Sequence, residues 1–323
     1  MRSRASSAAA LQAARGSLDR RTVLGGLAGG LAVAMLGGAA RFARAADALT
    51  AANVAPGLTL IGGAGANVLV LATDAGKVVV DGGAAAQAKI LLQKLDELPG
   101  GRVAALFNTH WHLDQVGSNA ALGRAGAAIV AHEKTRLHLA TGYYLPAEDR
   151  YQPPAPKEAQ PTESIYTTGE TKIGRERIEY GYLLEAHTDG DVYVFFRDSN
   201  VLAVGDAVSP ERDPELDWFG GGWLGGRVDS LKLLLGLGNA QTRIVPSYGA
   251  VVDRAAVQKE YDMMLRLFES FVELVRKGDS AEDVLAAGVM DVTGRAWADP
   301  QKFVRAAHKG MWAHHNTLSP DIV

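Results

Sequence analysis

The chain has 323 residues, 47% hydrophobic and 21% charged, with a formal net charge of −3 at pH 7. That is ordinary globular composition, enough for one large domain or two small ones, and it excludes a disordered or collagen-like chain. There is no cysteine, so no disulfide braces the fold, and a bound metal must be held by His, Asp, Glu or weaker oxygen donors.

Residues 1–45 read as an export signal. Arg2, Arg4, Arg15, Arg20 and Arg21 precede an apolar run from Val23 to Ala40, and Ala43-Arg44-Ala45 is a small-x-small cleavage pattern. Arg20-Arg21 followed by Thr22-Val23-Leu24 resembles a twin-arginine signal, which implies a periplasmic or secreted protein exported already folded. Six glycines in Val23–Ala40 make that run weakly hydrophobic for a permanent span. No stable membrane anchor is therefore expected after the signal is removed. Without residues 1–45, 26 basic residues face 35 acidic ones, a net of −9. Such a surface repels phosphates, which excludes general nucleic-acid binding and leaves a small-molecule substrate as the expected partner.

Leu58–Ile61, Val68–Ala72 and Lys77–Val80 are short apolar runs between Gly-rich turns and predict adjacent antiparallel strands. Ala84–Leu98 has helical spacing, with Ile90, Leu91, Leu95 and Leu98 near one face. Arg102–Asn108 and Ala127–Ala131 predict buried strands, and Gly117-Ser118-Asn119 leads into a helix at Ala120–Leu122. Leu145–Glu163 holds Pro146, Pro153, Pro154, Pro156 and Pro161 and predicts a long loop; with Tyr143 and Tyr144 it is a candidate lid. Val192–Arg197 and Val201–Val204 predict a hairpin turning at Asp198-Ser199-Asn200. A short helix is expected over Val228–Leu237, a strand ending at Pro246, and a long amphipathic helix over Asp253–Lys277 with shorter helices after it. Strands early, alternation in the middle and helices at the end fit a layered α/β architecture.

The chemistry concentrates in Asn108-Thr109-His110-Trp111-His112-Leu113-Asp114-Gln115. Two His at i and i+2 just past a strand can converge on one ion, and Asp114 can reach a neighbouring position. A third His lies in Glu185-Ala186-His187-Thr188-Asp189-Gly190-Asp191, before another strand, and Gly205-Asp206 ends the strand after that. Imidazole and carboxylate are the ligands that zinc and iron(II) favour.

Asp81-Gly82-Gly83 at a strand end, then His-x-His-x-Asp, a lone His before a strand and Gly-Asp after it, is an order of motifs that resembles the metallo-β-lactamase superfamily, from about Leu58 to Ala250. The resemblance implies a four-layer αβ/βα sandwich with metals at one edge of the paired sheets, followed here by C-terminal helices. The expected organisation is a signal over 1–45, a metallo-β-lactamase-like domain over 46–255, and a helical extension packed on it over 256–323. It implies His110, His112 and His187 as ligands of a first metal, Asp114 as a ligand of a second, Asp206 as the bridge, and Asp81 as a residue that fixes ligand geometry.

Two positions depart from that pattern. Gln115 stands where the superfamily usually has His, and Pro246-Ser247-Tyr248-Gly249 puts Tyr248 where it usually has another. An amide is a poorer ligand than imidazole, and a phenol with a free pKa near ~10 must ionise to bind metal well. One zinc ion rather than two is expected, with iron as the alternative. Asp114 is expected to orient or deprotonate the attacking water, and Tyr248 or Gln115 to donate to the oxyanion.

The leading expectation is hydrolysis of a carbonyl ester, lactone, thioester or amide, β-lactams included. The alternatives are a mononuclear iron dioxygenase of the persulfide dioxygenase type, using His110, His187 and Asp206, and a binding protein that has lost catalysis. Trp218 and Trp223, in a glycine-rich stretch, are expected either to cap a substrate pocket or to pack in the core. His132 and His138 are expected to be structural or solvated, and His308, His314 and His315 to serve packing or surface roles.

Overall fold

The computed structural model describes residues 49–145 and 149–314. The expected export signal, Pro146 and His315 lie outside them. In chain order the described elements begin with β1 (Thr50–Ala55), β2 (Leu58–Gly62), β3 (Val68–Thr73) and β4 (Gly76–Val80). Next come α1 (Ala88–Glu97), β5 (Val103–Phe107), α2 (Asn119–Arg124), β6 (Ala128–His132) and α3 (Glu133–Thr141). The pair β7 (Tyr143–Leu145) and β8 (Arg150–Gln152) precedes β9 (Glu163–Ile165), β10 (Thr168–Ile173) and β11 (Glu176–Tyr182). Then follow β12 (Val192–Phe196), β13 (Val201–Gly205), α4 (Leu224–Leu235), β14 (Arg243–Pro246), α5 (Arg254–Arg276), α6 (Ala281–Ala286) and α7 (Pro300–Ala313).

Two sheets form the centre. One has the order β1-β2-β3-β4-β5-β6-β9 and the other β10-β11-β12-β13-β14. Strand periodicity explains why they stack. On β3, Leu69 and Leu71 face the inter-sheet core, while Val68 and Val70 face the outer core with Leu91 and Leu95 of α1. On β12, Val192, Val194 and Phe196 point inward, while Tyr193 and Phe195 point outward to α4 and α5. Strands apolar on both faces need cover on both, and the helices supply it. The result is a four-layer αβ/βα sandwich with C-terminal helices, as the superfamily resemblance implies.

The helices after β14 belong to the same outer core. Leu267 and Phe271 of α5, Val284 of α6 and Phe303, Val304 and Met311 of α7 cluster with Leu224, Leu231 and Leu234 of α4. Asp253 caps α5 by accepting from Ala256 N, and Ser280 and Asp283 form a reciprocal capping box on α6. Among the described residues no helix is long and apolar enough to cross a membrane.

The expected loop over Leu145–Glu163 needs correction. Its described part contains β8, a 3-10 turn at Lys157–Ala159 and the start of β9, which adds to β6 in parallel. Pairing with an existing edge supplies the order that the local sequence lacks. The hairpin β10–β11 and strand β1 were also not foreseen from the residues.

Candidate metal centre

Parallel pairing of β4 with β5, and of β13 with β14, brings the C-terminal ends of each pair together. β12 runs antiparallel to β13, so the loop before β12 lies at the same edge. Asp81, the segment 108–115, His187, Asp206 and Tyr248 are thereby gathered from five places in the chain. Gly205 has φ +59 and a Cβ there would stand 2.8 Å from Thr109 Oγ1, so only glycine lets the end of β13 close on that threonine. Gly222 lies still closer to its neighbour: a Cβ would stand 1.9 Å from the carbonyl oxygen of His187. The loop after Trp218 is thus laid directly on the backbone of the third histidine.

The ligand nitrogens of His110, His112 and His187 lie within 4.8 Å of one another. Each ring has its other nitrogen occupied. Thr109 Oγ1 donates to Asp81 Oδ2 at 2.8 Å and meets His110 Nδ1 at 3.1 Å. Having spent its proton on Asp81, the hydroxyl accepts from His110, which leaves His110 Nε2 as a lone pair. That atom is buried and has no hydrogen-bond partner among the described residues. His112 Nε2 meets Asp217 Oδ2 at 3.1 Å, which directs the lone pair to Nδ1. His187 Nδ1 donates to the Glu215 carbonyl oxygen at 2.9 Å, which directs its lone pair to Nε2. His187 Nε2 and His112 Nδ1 then face each other at 3.1 Å. Two lone pairs cannot bond each other, so the arrangement requires a proton or a cation between them. These residues fit a metal ion.

Burial, then the neighbouring His112 and His187, pushes the His110 pKa well below the usual imidazole value. Burial followed by His112 lowers His187 as well. For His112 burial acts the same way, but the Asp217 hydrogen bond and charge, with Asp114 and Asp206, outweigh it and the pKa rises. Burial raises Asp206 to about 6 against the pull of His112, Arg212 and Arg227. Its Oδ2 stands 3.6 Å from His110 Nε2 and 3.9 Å from His187 Nε2, at the border of the three-nitrogen group.

Asp81 holds the left-handed backbone, φ 63, that a non-glycine residue adopts at a cost. Its two oxygens accept from Thr109 N and Thr109 Oγ1, so it reaches His110 through Thr109 rather than directly. Asp114 accepts a very short hydrogen bond from the Tyr248 hydroxyl. The guanidinium of Arg212 lies 3.6 Å over the Tyr248 ring. Asn67 fixes this loop, donating to the carbonyls of Pro246 and Gly249 at 2.9 Å each. Gln115 is fully buried, and neither amide atom has a hydrogen-bond partner among the described residues. Asp114 and Asp206 flank the three histidines without joining their close cluster.

The other histidines among the described residues take up packing roles. His132 accepts from Lys134 N and stacks on Tyr182, and His138 stacks on Trp111 and meets Asp189. His308 bonds the Asp279 carbonyl, and His314 stacks on Trp223. The two loop tryptophans divide: Trp223 joins the core, while Trp218 lines a groove beside His112. Tyr143 is buried against Trp111. Thr109, Asp217, Arg212 and the Glu215 carbonyl were not foreseen as site residues. Asp217 is 105 residues from His112, and no local spacing signals that contact.

Residues 61–262 match the family model of the metallo-β-lactamase superfamily. The chain belongs to the metallo-β-lactamase superfamily. Among solved structures, it resembles the inverting sec-alkylsulfatase Pisa1 from Pseudomonas sp., with TM-score 0.61 and 15% identity over 82% of this chain and 50% of that one. The chain therefore spans about half the length of that enzyme. A metallo-β-lactamase from Pontibacter korlensis gives TM-score 0.54 and 20% identity over 67% of this chain and 99% of that one. The DIM-1 metallo-β-lactamase gives 0.53 and 19% over 67% and 97%. At such identities these likenesses speak to the superfamily's fold. No curated protein matches the chain.

Proposed function

We propose that the protein is a zinc hydrolase with a single metal ion held by His110, His112 and His187, acting on a carbonyl ester, lactone, thioester or amide. The observation that carries this is the convergence of three imidazole lone pairs whose far nitrogens are each already committed. Zinc bound by three histidines supplies Lewis acidity and can lower a water's pKa to about 7.

The chain's own residues then have distinct tasks. Asp81 through Thr109, Asp217 and the Glu215 carbonyl orient the three rings. Asp114 takes the proton of the attacking water. The Tyr248 hydroxyl holds Asp114 in place, and as Asp114 gains that proton the phenol is released to donate to the developing oxyanion. Arg212, stacked on the Tyr248 ring, adds a positive charge beside that phenol. Asp206 stands beside His110 and His187 as a further oxygen donor.

A second reading has one observation in its favour: Asp206 lies near both His110 and His187, as a two-histidine, one-carboxylate iron site requires. His112 Nδ1 pointing into the same space favours the three-histidine site. Export by the twin-arginine route is part of the proposal and rests on residues 1–45 alone.

Chelation followed by re-addition of zinc or iron, assayed on esters, lactones, β-lactams and an alkyl sulfate, tests the reading. Turnover lost on chelation and restored by zinc supports it. Oxygen uptake restored by iron alone, with no hydrolysis, overturns it.

A further inference from the structure

We propose that α7 forms one wall of the substrate groove and that Lys309 on it binds an anionic group of the substrate, a small molecule with a carboxylate or sulfate on a flat apolar body. This rests on the hydrolase reading for its direction, since the groove starts at His112 and Asp114.

The groove has a volume of about 720 Å³ and runs from those two residues between Leu145, Trp218 and Phe219 on one side and α7 on the other. The first wall is apolar and aromatic. Trp218 and Phe219 meet edge to face at 5.7 Å, with Tyr144 against Phe219 at 5.9 Å. The second wall is basic: Lys302, Arg305 and Lys309 follow at i, i+3 and i+7 and form one stripe. α7 lies beyond the family match, which ends at residue 262. This wall is an addition to the matched domain.

The charges along the groove are nearly all matched. Lys302 Nζ pairs with Glu215 at 2.7 Å, and Arg305 Nε with Glu282 at 3.3 Å. Asp217 is bonded to His112, Asp114 to Tyr248, and Asp299 caps α7 by accepting from Lys302 N at 2.9 Å. Among the described residues, Lys309 has no carboxylate within ion-pair distance. Its ammonium lies 4.5 Å from the Trp218 ring centroid. The ring fixes the cation on one side and leaves its other donors to the groove. A ligand whose apolar body lies along Trp218 and Phe219 would bring an anionic substituent to Lys309. The whole chain is net negative, so attraction of an anion depends on such a local cation.

The test uses the full chain and a pair of probes, naphthalene-2-acetate and its uncharged amide, titrated by quenching of tryptophan fluorescence. Wild type is expected to bind the anion about five-fold tighter than the amide, the scale of one partly exposed charge pair. Lys309→Glu is expected to abolish that preference. Lys232→Glu, the same charge change at an exposed site on α4 outside the groove, is expected to keep it. No preference in wild type, or an equal preference in Lys309→Glu, overturns the inference. Hydrolysis of matched charged and neutral aryl esters is measured alongside. Anion preference with no hydrolysis of any ester sinks the hydrolase reading and leaves the groove standing. Hydrolysis with no anion preference does the reverse.

Discussion

Replacing Arg227 tests how the core holds the metal edge. Arg227 is 0% exposed, and its Nη2 lies 2.7 Å from Glu260 Oε1 and 3.0 Å from Ser209 Oγ. Its Nη1 donates to the Asp206 carbonyl oxygen at 2.9 Å, and Glu260 Oε2 accepts from Ser209 N at 2.9 Å. One arginine therefore ties α4, α5 and the segment after β13 together. Arg227→Met leaves the Glu260 carboxylate buried without its partner, which costs about 3–5 kcal/mol. The freed Asp206 carbonyl adds about 1 kcal/mol. For a chain of this size the midpoint of thermal unfolding should fall by roughly 10 °C. Arg227→Met with Glu260→Leu removes both charges and should recover all but about 1–2 kcal/mol, because an ion pair replaced whole by apolar groups costs little. Urea denaturation of the wild type, both single variants and the double variant measures the cycle. A single-variant loss below about 1 kcal/mol, or a double variant no better than Arg227→Met, would refute the reasoning.

Three further outcomes follow from the site. Burial raises Asp206 to about 6, so the metal-free folded protein keeps a proton over the range from about pH 4 to 6 in which the unfolded chain has lost it. Asp206 therefore lowers stability as pH rises through that range. With its side chain still 15% exposed, Asp206→Asn should stabilise chelated protein by about 2 kcal/mol at pH 7 and hardly at pH 4; a gain independent of pH would rule this cause out. Asp217→Asn should weaken metal affinity about 10–100-fold through His112, measured by competition with a chelator, whereas Asp189→Asn, which releases His138 instead, should not. Tyr248→Phe should lower turnover about 10²-fold while metal content stays constant; unchanged turnover removes Tyr248 from the chemistry.

Much of the sandwich was readable from local pattern because its central strands are buried on both faces. Val68–Ala72 and Val192–Phe196 are apolar on both faces, a pattern that marks a strand covered on both sides. Strand β1, with the sequence TAANVA, and β10, with TGETKI, carry no such signal. They form because β2 and β11 offer edges to pair with. The same division holds at the metal edge. The spacing of His110 and His112 and the strand contexts of His187 and Asp206 are local and were legible. The partners that decide which nitrogen of each ring is free are set by tertiary contact, as with Asp217 and the Glu215 carbonyl. Lys309 belongs with them: only the packing of α7 on the α4–α5 layer brings it over Trp218.

One metal site of three histidines underlies the proposed chemistry. Elemental analysis of metal per chain after mild purification, on wild type and on His187→Ala, tests it most directly. About one zinc per chain in wild type and none in His187→Ala is the predicted result. Two metals per chain in wild type would make Gln115 and Tyr248 working ligands and contradict the account, as would one metal that survives the loss of His187.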